Sequence, residues 1–589
     1  MTGGFVYDTP CRQLSCLHGR TSSDMIFSRK RKKSYKKWAS SYGGYGDTPY
    51  ADLDKVASGE MGINEIQHYV HAHTFQMNFL GFLKKYQETG DNSYLDKVVG
   101  AWEDISSRQK YITGTVSVGE HYEAGHNLPN TGNVGETCAT NSWTLLNNNL
   151  FELTGDAAYQ QTVEDVIFNH MFATSTIEGD GYSYHRPLNG TTDRFFTGPD
   201  CCSSSGMRMQ SYVPYYIYSK SDSEVYVNQF IESEVNITLE NGNTIHLKQT
   251  TDYPETDEIV LEVTDASAAT VLNIRVPDWV KDPAVKINGE AVDAVTAGSY
   301  IAVTVNAGDR IEITYPSELT WVEGDNSNDG LWAMKKGPMV YAIAAAFMSE
   351  EESQEAYGSD IAIVSATSVL KPEADKPVQT EEKVEFQDDR ILGAGYRVIM
   401  TTSRGEQEVT VVPYANIGQW YRFGEERPSD YNSAERYPYS IWISAIMSDY
   451  PEVPVEQSTP VVHYDFDAIE GTVVKDISGN GHDAAFVGGM SVQEDGVLGS
   501  SAYFNGTDGY VEMPDDVIYG LHNMTISTWV KPESLGNWAR IFDFGSELDP
   551  PYPNLFLTVN SGNNNMRLAG YGTSETETAT CRHKRDFQG

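Results

Sequence analysis

The spacing of the apolar residues changes once along this chain, and that change limits the folds it can adopt. From residue 60 to about residue 218 they recur every three to four positions, which is typical of amphipathic helices. From about residue 223 they alternate with polar residues in short segments such as VYVNQFI and TVLNIRV, separated by Gly, Asn and Asp turns. The sequence therefore predicts a helical domain followed by antiparallel β-sandwiches.

The helical part contains an internal repeat. LGFLKKYQETGDNSYLDKVVGAWEDI and NNLFELTGDAAYQQTVEDVIFNHM align at an offset of 65 residues, with the tripeptide Thr-Gly-Asp at 89–91 and again at 154–156. In each copy a glycine ends one amphipathic helix, and a short turn leads into a second helix. Repeated helical hairpins bury their apolar faces against one another, which predicts a solenoid or an α/α toroid.

Composition divides the chain further. Residues 1–40 hold nine Lys/Arg against two Asp but have no apolar core, so they are not a secretory signal. We interpret this leader as an artefact, with a nuclear or nucleic-acid patch as the alternative, and we expect the chain to be a fragment at both ends. The predicted units are the leader (1–40), a helical domain (41–222), a β-sandwich (223–318), a second β-sandwich (319–450), a Pro-rich linker (451–460) and an incomplete all-β module (461–589).

The chain is strongly acidic. Its formal net charge of −41 would repel phosphate over most of the surface, which argues against nucleic acid as a partner. No apolar run is long enough to cross a bilayer. This composition suits an exported protein that handles neutral ligands, so we expect an extracellular or cell-surface location.

Six cysteines in 589 residues are too few for a disulfide scaffold. Cys201 and Cys202 are adjacent, and neighbouring cysteines seldom bond to each other because the short ring is strained. Cys138 lies 63 residues before Cys201, and Glu136 lies two residues before Cys138 at a predicted helix start. Three thiols and a carboxylate suit a four-coordinate zinc ion (Zn²⁺), whereas buried thiols acting as small apolar residues are the alternative.

These motifs together resemble the β-L-arabinofuranosidases of glycoside hydrolase family 127. The similarity is carried by ETCA at 136–139, by LPN at 128–130 between two glutamates, and by the downstream CC pair. Further helix and strand sequences of that family are similar to VHAHTFQ, YQQTVEDVIFN, LNIRVPDWV, KINGEAV and VNAGDRIEITYP. The similarity is clear over about residues 65–345 and fades toward residue 450.

The resemblance implies a retaining glycoside hydrolase that releases β-L-arabinofuranose, or a related sugar, from a plant-type oligo- or polysaccharide. A cysteine would be the nucleophile and a glutamate the general acid/base. The implied zinc ligands are Glu136, Cys138, Cys201 and Cys202, the implied catalytic pair is Cys201 and Glu120, and the implied substrate contacts are His71, Glu164 and Tyr184. Each has a plainer alternative: Glu120 as a solvated loop acid, His71 as a core histidine, and Glu164 as a surface charge.

The family fold is a toroid of twelve helices, and this chain supplies about half of them. We therefore expect a partial (α/α)6 toroid that lacks its N-terminal part, with apolar helix faces left uncovered and activity impaired or absent. Two positions near the expected pocket depart from the family. His73 stands where the family has Asn, and the serines at 203–205 follow the CC pair.

Residues 461–589 resemble laminin-G-like, concanavalin-like jelly rolls, on the segments HYDFDA, DISGNGHDA, AYFNGTDGYVEMP and ISTWVKP. Such modules bind glycans or act as spacers. Calcium (Ca²⁺) is a further expectation there, with Asp465, Asp476 and Asp508 as candidate ligands.

Two other functions remain open. The chain could be a non-catalytic carbohydrate-binding protein with a structural zinc, or a relative that cleaves another pentose-like sugar from pectin. Glu120 separates the first of these from an enzyme, because a purely structural zinc site has no use for a carboxyl group opposite the metal.

Overall fold

The computed structural model divides the chain into two units, Met1–Met447 and Ser448–Gly589. It describes residues 5–7, 52–66, 71–123, 125–191, 195, 200–357, 374–378, 380–402, 405–429, 436–444, 460–494, 496–497, 499–514, 517, 526–531, 536, 538–545, 554–558, 567–571 and 576–577. Most of the basic leader, nearly all of the linker, and the cysteines at 11, 16 and 581 lie outside these residues.

Helical hairpins packed side by side form the part of the first unit that was predicted to be helical. The helices are α1 (Leu53–Ala57), α2 (Ala72–Thr89), α3 (Asn92–Arg108), α4 (Thr137–Thr154), α5 (Ala157–Asp165), which continues into a π-helical turn (Val166–Met171), and α6 (Cys201–Ile217). Helix α4 packs between α2 and α6, while α3 packs against α2 and α5 against α4. Among the described residues, no helix is both long and apolar enough to span a bilayer.

The repeated Thr-Gly-Asp tripeptide builds the same turn twice, as predicted. Gly90 and Gly155 end α2 and α4 with φ values of +68° and +75°, a left-handed conformation that glycine adopts at little cost. Asp91 and Asp156 then cap the next helix, each accepting a backbone N–H at 3.0 Å two residues ahead. The hairpin repeat is therefore encoded in its turns as well as in its apolar spacing.

Two sheets follow and form the first β-sandwich. The described strands up to residue 314, all of which except β2 belong to these two sheets, are β1 (Phe5–Tyr7), β2 (Asn189–Thr191), β3 (Tyr218–Lys220), β4 (Glu224–Val227), β5 (Ser233–Thr238), β6 (Thr244–Thr251), β7 (Glu258–Ala266), β8 (Thr270–Val276), β9 (Ala284–Ile287), β10 (Glu290–Ala291), β11 (Ser299–Val305) and β12 (Arg310–Thr314). One sheet has the order β1-β5-β6-β7-β12-β9-β10 and the other β11-β8-β4-β3. Alternate residues of both sheets, such as Leu247 and Leu272, are buried in one apolar core.

The eight described strands between residues 319 and 444 pair, together with β2, into one nine-stranded sheet. Its main path is β13-β14-β15-β18-β17-β16, and β2, from the helical part of the chain, joins it by pairing with β19. The elements are β13 (Leu319–Glu323), β14 (Leu331–Lys336), β15 (Met339–Ala344), α7 (Glu350–Tyr357), β16 (Thr380–Val384), β17 (Gly395–Thr402), β18 (Gly405–Pro413), β19 (Pro438–Ser440) and β20 (Ile443–Ser444).

The second unit consists of strands, as the sequence predicted. They are β21 (Ile469–Glu470), β22 (Val473–Val474), β23 (Ala484–Val487), β24 (Met490–Gln493), β25 (Ser501–Phe504), β26 (Tyr510–Glu512), β27 (Arg540–Gly545), β28 (Asn554–Thr558), β29 (Arg567–Tyr571) and β30 (Thr576–Glu577). They pair in the orders β21-β22-β23-β26, β24-β25 and β27-β28-β29-β30.

A buried ion pair ties the helical part to the first β-sandwich. The Glu164 carboxylate on α5 accepts a hydrogen bond from the Arg275 guanidinium on β8, and the two side chains are 0% and 1% exposed. Tyr253 donates to the same carboxylate at 2.7 Å and Trp279 at 3.2 Å. Since both charges have lost their hydration, their stability depends on this complete set of partners.

Replacing Arg275 should therefore destabilise the fold strongly. We expect Arg275→Met to lower the free energy of unfolding by about 3–5 kcal/mol, because it leaves the Glu164 charge buried without its partner. Arg310→Met is the matched control: Arg310 pairs with Glu262 at 2.9 Å near the surface, and its loss should cost about 0–1 kcal/mol. Urea unfolding followed by tryptophan fluorescence measures both, and equal losses would contradict the buried role of Arg275.

Candidate active site

The three central cysteines meet where two neighbouring helices begin. Cys138 is the second residue of α4, while Cys201 and Cys202 open α6. The Sγ atoms of Cys138 and Cys202 are 3.5 Å apart, and those of Cys201 and Cys202 are 4.0 Å apart. Cys201 is exposed, whereas the other two are buried. The positive ends of both helix dipoles therefore lie beside the sulfurs and favour thiolates.

Local sequence fixes the start of α6 at the cysteine pair. Asp200 caps the helix by accepting the Ser203 backbone N–H and the Ser203 hydroxyl, both at 2.8 Å. One turn later Gly206 allows Tyr182 to pack directly on the helix, because a Cβ there would lie 2.2 Å from the tyrosine ring. The cysteine pair is thus held both by a cap and by close packing.

Glu136 points its carboxylate at the sulfurs from the residue before α4. The residue is only 1% exposed, and Oε1 lies 3.9 Å from the Cys202 Sγ. Oε2 is buried and has no hydrogen-bond partner. Gly135 sets this direction with a φ of +64°, and its missing Cβ leaves room for His170, whose ring carbon would otherwise be 2.3 Å away.

The donor set matches a tetrahedral zinc ion. In a tetrahedral site, Zn–S bonds near 2.3 Å place neighbouring sulfurs about 3.8 Å apart, and the two measured S–S separations of 3.5 and 4.0 Å lie on either side of that value. Glu136 offers the fourth ligand, because its Oε1 lies 3.9 Å from the Cys202 Sγ. The residues predicted as ligands therefore fit zinc in their chemistry and in their spacing.

Crowding of acidic groups shifts their protonation. Burial, followed by the nearby charges of Cys138 and Glu120, raises the pKa of Glu136 to about 9. A hydrogen bond from Cys202 lowers the pKa of Cys138 to about 6, while burial and the Cys138 charge raise the pKa of Cys201. Without a positive charge among them, these groups cannot all be ionised at neutral pH.

Tyr184 connects Glu120 with Cys201. The Tyr184 hydroxyl donates to Glu120 Oε1 and lies 3.9 Å from the Cys201 Sγ. His71 Nε2 is 3.3 Å from Glu120 Oε2. Glu120 has a φ of +70°, which is unusual for a residue with a Cβ, and the Ala72 N–H donates to its carbonyl at 2.8 Å.

Glu164 lies in a different set of contacts. The family resemblance implied that it contacts substrate, but it is fully buried, and Tyr253, Arg275 and Trp279 engage both of its carboxylate oxygens. Its position on the apolar side of α5 serves the joint with the first β-sandwich instead.

The two departures from the family both contact Cys138. His73 Nδ1 is 3.0 Å from the Cys138 carbonyl oxygen and 3.0 Å from the Ser142 hydroxyl. Ser205 donates to the Cys138 Sγ at 3.2 Å and accepts a hydrogen bond from Arg208 at 2.8 Å. Neither Ser205 nor Arg208 was predicted to act at the site, although Ser205 lies one turn after the cysteine pair and therefore on the same face of α6.

The three aspartates considered for calcium each serve a separate turn of the second unit. Asp465 accepts the Asp467 N–H at 3.0 Å, and Asp508 accepts the Gly489 N–H at 3.1 Å. Asp476 accepts three backbone N–H groups at 2.9–3.0 Å. The groups of candidate metal ligands found among the described residues are Cys138, Cys201, Cys202 and His71, Glu120, Glu136. Calcium stays a prediction.

Family comparisons cover three parts of the chain. Residues 51–215 match the model described as β-L-arabinofuranosidase, GH127 catalytic domain, and residues 224–317 match the GH127 middle domain. Residues 505–587 match the concanavalin A-like lectin/glucanases superfamily. A non-reducing end β-L-arabinofuranosidase from Bifidobacterium longum subsp. longum is 26% identical over 281 residues, 43% of this chain and 42% of that protein. The chain thus spans less than half of that curated relative.

Solved structures share the fold. A GH127 β-arabinofuranosidase superposes with a TM-score of 0.55 at 21% identity, covering 71% of this chain and 68% of that one. A GH127 β-L-arabinofuranosidase from Geobacillus stearothermophilus T6 gives a TM-score of 0.54 at 20% identity, covering 67% and 66% of the two chains. At such identities the likeness establishes the fold alone.

A methyl group at Gly135 should disturb the site. We expect Gly135→Ala to lower both the free energy of unfolding and the retained zinc, because the Cβ collides with His170 and turns Glu136 aside. Gly132→Ala is the control: its φ of +78° costs about 1–2 kcal/mol, but nothing lies within 4 Å of the new Cβ. Metal analysis and urea unfolding of both variants distinguish a loss of zinc from a loss of stability. Full zinc retention in Gly135→Ala would contradict the assigned role of this glycine.

Proposed function

Since residues 51–215 and 224–317 match the catalytic and middle domains of glycoside hydrolase family 127, we propose that this chain is a retaining glycosidase that hydrolyses β-L-arabinofuranosides. One observation carries the proposal: the exposed Cys201 thiol and the Glu120 carboxylate both contact the Tyr184 hydroxyl.

Cys201 is the nucleophile. Retaining glycosidases ordinarily use two carboxyl groups about 5–5.5 Å apart, one of which attacks the anomeric carbon. Here a sulfur takes the place of the attacking carboxylate, and Cys201 is the only thiol of the three that is exposed to substrate. When bound by Glu136 and the cysteines, zinc would keep the thiol ionised near neutral pH.

Glu120 is the general acid and then the general base. As the Cys201 sulfur bonds to the anomeric carbon, the bond to the leaving oxygen breaks and Glu120 donates its proton to that oxygen. Glu120 then takes a proton from a water molecule, whose oxygen displaces the sulfur. Two displacements restore the original configuration and return the thiolate.

Tyr184 and His71 hold the acid/base in place. Tyr184 donates to one carboxylate oxygen of Glu120, and the His71 Nε2 lies 3.3 Å from the other. Both side chains lie beside the proposed catalytic pair and are partly exposed, so we propose that they also contact the sugar hydroxyls. The left-handed φ of Glu120 leaves the backbone few other conformations, which limits where its carboxylate can point.

We further propose that the substrate is a terminal β-L-arabinofuranosyl unit of a plant-type glycan. The name of the curated relative supports action at non-reducing ends. The lectin-like match at 505–587 supports glycan binding by the second unit. Location outside the cell stays a prediction, which cell fractionation tests.

Glu120→Gln should lower kcat/KM about 10²- to 10⁴-fold on a methyl β-L-arabinofuranoside, because proton donation is lost. The loss should shrink on a p-nitrophenyl substrate, whose leaving group needs no proton. Zinc content should stay unchanged, and Glu88→Gln, a half-exposed glutamate on α2, is the control without effect. An equal loss on both substrates would rule out the acid role.

Cys201→Ala should abolish hydrolysis of both substrates. Trapping an arabinosyl adduct on Cys201 by mass spectrometry in the wild-type chain would identify the nucleophile. Zinc retained with neither substrate cleaved by the wild-type chain would favour a carbohydrate-binding protein with a structural zinc. The same assay tests the expectation of impaired turnover.

A further inference from the structure

A second group of metal-ligating atoms lies beside the cysteines. One ligand atom each from His71, Glu120 and Glu136 lies within 4.8 Å of the other two. The closest measured pair is His71 Nε2 and Glu120 Oε2, at 3.3 Å. The three residues come from separate segments: the start of α2, the left-handed loop residue at 120, and the residue before α4.

Glu136 connects this group with the sulfurs. Its Oε1 lies 3.9 Å from the Cys202 Sγ, whereas its Oε2 is buried without a hydrogen-bond partner. The residue is 99% buried, so bulk solvent does not hydrate this oxygen. A carboxylate can bind one cation through each oxygen, and the unpartnered oxygen of a buried carboxylate needs a donor or a cation.

The two donor sets differ in chemistry. Cys138, Cys201 and Cys202 offer soft sulfur, which selects zinc and similar ions. His71, Glu120 and Glu136 offer one imidazole nitrogen and two carboxylates, a harder set that also takes divalent zinc or cobalt. We propose that His71, Glu120 and Glu136 form a second site for a divalent cation, next to the cysteine site, and that its occupation inhibits hydrolysis.

Inhibition follows from the atoms that such a cation would use. Binding at Glu120 Oε2 and His71 Nε2 occupies lone pairs that the acid/base needs in order to carry a proton. The inhibitory step rests on the proposed function, whereas binding of the second cation does not. Hydrolysis should therefore be supported by the first equivalent of metal and fall as metal is added beyond it.

Cobalt(II) titration of the metal-free full chain tests the site directly. Thiolate ligands give an intense sulfur-to-cobalt absorption, whereas nitrogen and oxygen ligands give only weak d–d bands. We expect the first equivalent to produce the intense band, and a second equivalent to bind with only weak absorption. Glu120→Gln and His71→Ala should still bind the first equivalent of cobalt but not the second. Glu88→Gln, the control, should bind both. Circular dichroism checks that each variant is folded.

Binding of one equivalent only, or of a second equivalent that persists in both Glu120→Gln and His71→Ala, would overturn the site. The hydrolysis assay, run with one and with several equivalents of zinc, distinguishes a failure of the second site from a failure of the proposed function. If two cobalt ions bind but the chain hydrolyses neither substrate, the proposed function is wrong and the second metal site stands. Hydrolysis unchanged by excess zinc, while two cobalt ions bind, would overturn the inhibitory role.

Discussion

The structure depends on one cluster, in which three thiols and one carboxylate meet where two neighbouring helices begin. Cys138 and the cysteine pair at 201–202 lie at helix starts, and Glu136 is buried among them with one oxygen unsatisfied. The desolvation of that carboxylate is unfavourable unless a cation compensates for it. Hydrophobic packing of the hairpins brings the thiols and the carboxylate together. The geometry of the polar site therefore depends on the apolar core.

The geometry of the candidate site is set mainly by the backbone. Glycine at 135 and a left-handed conformation at Glu120 each limit the direction of a carboxylate. The Tyr184 hydroxyl contacts both the Glu120 carboxylate and the Cys201 sulfur. Supporting groups add to this order, since His73 and Ser205 contact Cys138 and Arg208 donates to Ser205.

Sequence patterns predicted the fold because the apolar period and the turn residues agree, as in the paired Thr-Gly-Asp turns. They also singled out Glu136 and the three central cysteines as one candidate cluster, because cysteines are rare in this chain, and these residues do lie together; their role as zinc ligands stays a prediction. Glu164 shows the limit of such reasoning. Helical spacing marks it as facing inward, but its partner Arg275 lies 111 residues away, and no local pattern tells a pocket from a domain joint. The role of Ser205 likewise required knowing which helix lies opposite it.

The short strand β2 has a consequence for the whole first unit. It lies between Tyr184 and the cysteine pair, and it pairs with β19 about 250 residues later in the chain. Asn189 donates to the Trp442 carbonyl at 2.8 Å, and Tyr414 donates to that of Pro187 at 2.7 Å. The third sheet therefore fixes the segment that carries Tyr184. The helical part could not be excised as an autonomous fragment without loosening the candidate site.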